Sequence, residues 1–264
     1  MMQFSFGAVA YNRTLMKEPK TNKSSYPLDH YMGFLSYQRY SPLVEVKAAE
    51  LASELTYREV AKTLKEWTAV SMSHTTVGTI VRKVGEAQAK ENEEMVQEIE
   101  EADGLPEGKE VDYLYAEADG VFVRSTKKKK SMEVKHGITY EGWDKQGKRV
   151  SLVKPKVYMT TKSIDQFWDH VQAGSAHVYT LEKAQVVTNS DGGKGYTAER
   201  FQTTFSQSEK LVINQLDAYH IQQGINRAFG VKNRFKKPVK QAIEQKEQAT
   251  FILWVDTYES TLEG

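Results

Sequence analysis

Beyond residue 111 the chain changes from helical to strand periodicity and then alternates between the two, and this alternation restricts the fold more than any other feature. Residues 111–124 are a run of strong β-formers, Val-Asp-Tyr-Leu-Tyr-Ala-Glu-Ala-Asp-Gly-Val-Phe-Val-Arg. Residues 131–143 and 150–159 follow, and turns at Lys127–Lys130 and at Asp144-Lys-Gln-Gly join the three into an antiparallel meander. Residues 163–172 then repeat at helical spacing, with Ile164, Phe167, Trp168 and Val171 on one face. Residues 185–189 read as a short buried strand, 197–205 as a helix, 211–216 as a strand and 219–229 as a helix. Such a succession predicts a mixed α/β domain with helices packed on a sheet.

Three antiparallel strands followed by strand–helix repeats have the element order of an RNase H-like sheet. In front of them, residues 41–88 are helical. Ser41-Pro-Leu-Val opens one helix, residues 56–67 form a second that buries Val60, Ala61 and Leu64, and residues 74–86 a third. Ser73 caps this third helix, whose inner face carries Val77, Ile80, Val81 and Val84. A short turn through residues 69–72 makes the last two helices a helix-turn-helix candidate. Residues 4–13 alternate like a strand, and 91–110 are a Glu-rich helix extension ending in Gly104-Leu-Pro-Glu-Gly, a linker signal. The expected organisation is therefore a helix-turn-helix region over 1–90, an acidic linker over 91–110 and an RNase H-like core over 111–264. The apolar finish Phe251-Ile-Leu-Trp-Val suggests a core that is incomplete at its C-terminal side.

Composition removes several classes. With no cysteine, disulfide scaffolds and thiolate zinc sites are excluded. The 36 basic and 35 acidic residues nearly cancel, so any polyanion site must come from local clustering. No apolar run spans a bilayer and the first residues lack the pattern of a secretory signal, so the expectation is a cytoplasmic protein with no membrane partner. Gly192-Gly-Lys-Gly-Tyr lacks P-loop spacing, and no Gly-x-Ser-x-Gly elbow occurs.

Three carboxylate positions are candidates to carry chemistry, each with an ordinary structural alternative. Asp119 lies in Glu117-Ala-Asp-Gly-Val; the alternative is that Asp-Gly marks a hairpin turn. Asp191 follows an apolar strand in a glycine-rich loop, a ligand position in open α/β sheets, although Asn-Ser-Asp-Gly is also ordinary turn chemistry. Asp217, in Asp217-Ala-Tyr-His220, again follows a strand; it can cap the next helix, with His220 in the first turn. Carboxylates at the ends of different strands can converge on hard divalent cations such as Mg²⁺ or Mn²⁺. Two such ions stabilise the attacking and leaving oxygens of phosphodiester displacement. Lys127–Lys130 reads as a solvated hairpin tip. A flexible basic cluster of Lys232, Arg234, Lys236, Lys237 and Lys240 is a candidate for phosphate-backbone contact.

The segments Tyr26-Pro-Leu-Asp-His-Tyr-Met-Gly, Ser41-Pro-Leu, Leu55-Thr-Tyr-Arg-Glu-Val-Ala and Ser73-His-Thr-Thr-Val resemble bacterial insertion-sequence transposases of the ISLre type, relatives of the Mutator-like transposases. Glu117-Ala-Asp-Gly-Val, Asn189-Ser-Asp-Gly-Gly and Leu216-Asp-Ala-Tyr-His continue the resemblance in the family's order. It implies Asp119 and Asp191, 72 residues apart, as the first two metal-binding acids of a triad, with Asp217 and His220 in an accessory catalytic role. It implies DNA strand cleavage and transfer with Mg²⁺ or Mn²⁺, double-stranded DNA as partner, and a homo-oligomer assembled on it. A third acid should follow, and Glu244, Glu247 and Glu259 stand in no matching motif; the expectation is that the third acid is missing and the chain is inactive alone. On the third N-terminal helix, His74, Thr75, Thr76, Thr79, Arg82 and Lys83 are the expected contacts to bases and phosphates. The alternatives are an RNase H-like nuclease without strand transfer and a non-catalytic DNA-binding protein.

Overall fold

The computed structural model describes residues 1–264 apart from 36, 103, 105, 125–130, 231–232 and 263–264. The expected turn at Lys127–Lys130 and Lys232 of the basic cluster lie outside the described residues. The chain divides into two units, Met1–Glu94 and Met95–Gly264.

In the first unit, strands β1 (Met2–Phe4) and β2 (Gly7–Val9) form an antiparallel hairpin where the alternation predicted one strand. Ser5 and Phe6 make the turn, and Gly7, which opens β2, has φ 142°, a conformation other residues rarely adopt. Two-residue strands β3 (Met16–Lys17) and β4 (Ser24–Ser25) and a short helix α1 (Pro27–Tyr31) lead to the helical core. Helix α2 (Pro42–Glu54) starts where Ser41 caps the Val44 N–H and proline occupies the first turn. Helix α3 (Tyr57–Trp67) starts on a Thr56–Glu59 capping box. Helix α4 (His74–Glu101) follows Ser73, whose Oγ accepts from the Thr76 N–H at 3.1 Å. Their apolar faces meet in one core of Val44, Ala48, Val60, Leu64, Val77 and Ile80. Gly78 is the contact point of α3 and α4, because a Cβ there would lie 2.9 Å from the Tyr57 ring.

In the second unit, β5 (Lys109–Glu110) pairs with β11 (Tyr179–Thr180), and a five-stranded sheet forms the centre. Its strands are β6 (Tyr113–Arg124), β7 (Ser131–Tyr140), β10 (Lys156–Thr160), β12 (Gln185–Ser190) and β13 (Ile213–Leu216), in the order β10-β7-β6-β12-β13. β7 runs antiparallel to both β10 and β6, whereas β12 runs parallel to both β6 and β13. The meander differs from expectation in one respect. A separate hairpin, β8 (Gly142–Gln146) with β9 (Arg149–Val153), is inserted before β10, so residues 150–159 are not one strand. Lys154 at φ 51° and Pro155, which has no N–H for a ladder, break the run. Asp119 and Gly120 sit inside β6, opposite His136 and Lys135, and do not form a turn.

Helices α5 (Ile164–Ala176) and α6 (Ala198–Thr204) cover one face of the sheet. Side chains alternate across a strand, so Leu114, Ala116 and Ala118 of β6 are buried under these helices while Tyr115, Glu117 and Asp119 belong to the opposite face. The core centres on Phe167, Phe201 and Phe205, each 0–1 % exposed. Past β13, α7 (Ala218–Phe229), α8 (Lys236–Glu244) and α9 (Gln248–Ser260) enclose a smaller core of Phe229, Phe235 and Val239. The basic cluster expected to be flexible is thus built largely into a helix. Its register, with Phe235, Val239 and Ala242 buried, needs α9 as partner and has no local stop signal.

A polar group lies inside the core between α5 and the sheet. The His170 ring stands edge-on to the buried Tyr158 at 5.3 Å, and Lys156 donates to the Gly174 carbonyl at 2.8 Å. Burial, reinforced by the Lys156 ammonium, holds His170 below the usual histidine range. The unfolded chain therefore binds the His170 proton more readily than the folded one. That stability is complete above the ordinary histidine value and is lost as pH falls through it towards the folded value. We expect urea midpoints of the wild type to drop between pH 7 and pH 5, and the drop to shrink in His170→Gln. An equal drop in both proteins would exclude His170 as its source.

Candidate functional site

The site is assembled by strand register. In the parallel β6–β12 ladder Glu117 faces Asn189, and two residues further along each chain come Asp119 and Asp191. The two-residue period puts Asp119 on the β6 face opposite α5 and α6, Asp191 directly follows the end of β12, and both line the same cleft. The next strand contributes a third group. The Asp217 N–H donates to the Ser190 carbonyl at 2.9 Å, which fixes the start of α7 beside the end of β12. Asp217 caps that helix by accepting from the Tyr219 N–H at 3.1 Å, and its other oxygen lies 2.9 Å from Nδ1 of His220. The Tyr219 amide, followed by the His220 hydrogen bond, holds the Asp217 carboxyl below the usual carboxylate range. Capping and a place in the site are compatible, and here one side chain has both.

These groups line one cleft of about 200 Å³, whose ionisable walls are Glu117, Asp119, His136, Asp191, Asp217 and His220. The Asp119 carboxylate accepts from the Gly120 N–H at 2.7 Å, and Asp191 accepts from the Gly193 N–H at 2.7 Å. Among the described residues neither has a cationic side-chain partner. Two glycines make the setting possible. A Cβ on Gly193 would lie 2.8 Å from the Asp191 carboxylate. On Gly120 it would lie 2.3 Å from Oε1 of Glu133 and 3.0 Å from the Tyr196 hydroxyl. The Asp-Gly pair therefore serves close packing within a strand.

Glu133, Tyr196, Glu117 and His136 were not singled out from the sequence. The Tyr196 hydroxyl donates to Glu133 at 3.2 Å, and Lys135 is 3.1 Å from the other Glu133 oxygen. Burial pushes the Tyr196 phenol up, with Glu133, Asp119 and Asp191 adding to the shift. One buried hydroxyl thus feels both aspartates. Glu117, two residues before Asp119, was visible as a same-face position; the other three depend on register and on a packing contact 63 residues apart in sequence.

The remaining predicted residues lie elsewhere. Glu244 ends α8, Glu247 precedes α9 and Glu259 lies in α9, and none lines the cleft. Among the described residues no group of three or more His, Cys, Asp or Glu side chains is arranged to hold a metal ion. Asp119 and Asp191 supply the hard oxygen donors that Mg²⁺ or Mn²⁺ takes, but two carboxylates make an incomplete cage. In the first unit His74, Thr75, Thr79 and Arg82 lie along one side of α4. Thr79 bonds to the Thr75 carbonyl at 3.1 Å and receives Arg82 at 3.2 Å. Thr76 is engaged by Ser73 at 2.9 Å, and Lys83 is paired with Glu45 of α2, which turns it towards its own fold. No helix among the described residues is long and apolar enough to cross a membrane.

A family model described as "Uncharacterised protein family (UPF0236)" matches residues 1–261. The chain is 33% identical over 265 residues to a "UPF0236 protein in vanSb 3'region" of Streptococcus gallolyticus. That match covers 98% of this chain and 55% of the relative, so the chain spans about half of the relative's length. Among solved structures, a chain of the simian T-cell lymphotropic virus intasome in complex with PP2A regulatory subunit B56 gamma aligns at 10% identity and a TM-score of 0.25. The alignment covers 78% of this chain and 66% of that one, and at such a score no common fold follows. With the family model matching nearly every residue and a relative at one-third identity, the chain belongs to the UPF0236 family.

Proposed function

We propose that this chain is the helix-turn-helix and acidic-site part of an insertion-sequence transposase of the ISLre type, acting on double-stranded DNA. The observation that carries the reading is the convergence of Asp119, Asp191 and the Asp217–His220 pair in one cleft from three adjacent strands. The strand order, three antiparallel strands followed by two that run parallel to the first, supports an RNase H-like core. The row His74, Thr75, Thr79 and Arg82 on α4, packed behind by α3, supports a helix-turn-helix that lies against DNA. Magnesium ions, when bound, stabilise the attacking and leaving oxygens of a phosphodiester. Asp119 and Asp191 would hold them. Asp217 fixes the His220 ring through Nδ1, which leaves Nε2 as the ring atom that would meet a phosphate.

A second reading is a DNA-binding protein without cleavage. It is favoured by the absence, among the described residues, of a third metal-binding side chain at the pair. Mn²⁺ titration and plasmid nicking separate the two. For the nuclease reading the chain should bind Mn²⁺, and Asp119→Asn or Asp191→Asn should weaken that binding at least tenfold. Any metal-dependent nicking should fall in the same variants by on the order of a hundredfold. Undiminished Mn²⁺ binding and nicking in both variants would sink the metal site. DNA binding with no Mn²⁺ affinity in the wild type would favour the second reading.

A further inference from the structure

Residues 227–246 contain seven basic side chains and one acidic one, a net charge of +6 in a chain whose total is +1. All other residues together therefore sum to −5, and the charge that looks balanced in composition is segregated. Helix α8 organises this segment. Its buried side is fixed by Phe235, Val239 and Ala242 against α7 and α9. At 100° per residue the same register turns Lys237 and Lys240 away from that core, and Arg234 is exposed in the turn that precedes the helix. Lys236 lies on the flank, 3.3 Å from the Gly230 carbonyl, and the Arg234 guanidinium rests over the Phe235 ring at 4.9 Å.

Among the described residues none of these cations has an acidic partner. Like charges three and four residues apart destabilise a helix by a few tenths of a kcal/mol each. Lys236 with Lys240, and Lys237 with Lys240, therefore oppose the helix that carries them. Folding does not account for such a row, whereas a polyanion outside the chain relieves it. A lipid surface is the weaker match. A helix that lies in a membrane needs its apolar face for the lipid, and the apolar face of α8 is already packed in the protein core.

We propose that α8 and the turn before it form a nucleic-acid backbone clamp. Arg234, Lys237 and Lys240 hold neighbouring phosphates of duplex DNA without reading its sequence, and they are distinct from the residues of α4 and of the acidic cleft. The proposal shares with the functional reading only the identity of the partner, and it needs no metal and no cleavage.

The test is fluorescence anisotropy of the full 264-residue chain with a labelled duplex of random sequence, in EDTA, over a series of KCl concentrations. In Arg234→Gln/Lys237→Gln/Lys240→Gln, affinity at moderate salt should fall at least tenfold. The slope of log affinity against log salt should become shallower by about 2 to 3, near 0.9 for each phosphate that is no longer neutralised. Two controls keep the result interpretable. Lys17→Gln/Lys20→Gln/Lys23→Gln removes the same charge from exposed positions and should change affinity less than threefold. Lys237→Arg/Lys240→Arg keeps the charge and should bind as the wild type does, with an unchanged melting curve. If the wild type binds and the α8 triple variant binds with the same affinity and slope, the clamp is overturned while the transposase reading stands. If the wild type shows no affinity for duplex even at low salt, both fall. If it binds phosphatidylserine-containing vesicles through the same three residues but not DNA, the clamp is replaced by a membrane contact.

Discussion

Replacing Trp168 by alanine is expected to lower the free energy of unfolding by about 3–5 kcal/mol. The indole is 4 % exposed and sits edge-on to Phe201 at 4.8 Å, to Phe167 at 5.1 Å and beside Tyr196 at 6.3 Å. Deleting it empties the space between α5, α6 and the loop after β12. Its N–H also donates to the Gly195 carbonyl at 2.9 Å, a bond from α5 that pins the glycine-rich segment following Asp191. Trp168→Phe should keep most of the packing and lose the hydrogen bond, at a cost of about 1 kcal/mol. The two variants separate the contributions in urea unfolding. Hydrogen exchange of the amides at 192–196 should rise in both, because both release the loop. Protection there that matches the wild type in Trp168→Phe would show that the loop is held by its own turn.

The second large effect is expected at a residue with no side chain. Gly137 lies in the middle of β7, paired with Ala118, under the end of the Phe167 ring. A Cβ at this position would be 2.9 Å from Phe167 Cζ and 3.2 Å from the Glu117 carbonyl. The ring is fully buried and the carbonyl belongs to the neighbouring strand, so neither moves freely. Gly137→Val should therefore destabilise by about 3 kcal/mol, at the upper end of core overpacking. Gly137→Ala should fall between valine and wild type. The flanking residues His136 and Ile138 line the acidic cleft, so the sheet distortion should reach the site as well. Thermal unfolding measures the first effect, and the chemical shift of His136 reports the second. A Gly137→Val protein as stable as the wild type would mean that α5 can lift from the sheet without loss.

Much of the molecule was legible in sequence wherever the signal was local. Ser41, Thr56, Ser163, Thr197 and Asp217 each start a helix with a side chain that accepts from a backbone N–H two or three residues on, and all of that information lies within one turn. The strands of the central sheet were legible because one face is covered and the other is not, which writes a period of two into β6 and β12. The aspartates stood out for the same reason, as polar groups at strand positions where burial stops. What was not legible depends on contacts between distant segments. The β8–β9 hairpin looked like a continuation of the meander because nothing in Trp143 or Val150 tells which sheet a strand joins. Instead Trp143 packs on Tyr115 at 4.5 Å and on Tyr140 at 5.4 Å. Helix α8 looked like a flexible basic stretch because its apolar residues are few and need Trp254 and Tyr258 of α9 to be covered. Glu133 and Tyr196 meet only through the finished sheet, and no short window contains them both.

The parallel pairing of β6 with β12 has a consequence for how the molecule comes into being. β6 and β7 are sequence neighbours and can zip together early, while Gln185–Ser190 must return to β6 across the whole of β7 to α5. Contacts of such sequence separation are entropically costly to close and form late in folding. A chain emerging from the ribosome therefore completes its meander with Asp119 already in position and Asp191 still unmade or undocked. The two carboxylates first confront one another when β12 docks on β6, so the pair that defines the cleft exists only in a chain that has closed this parallel pairing.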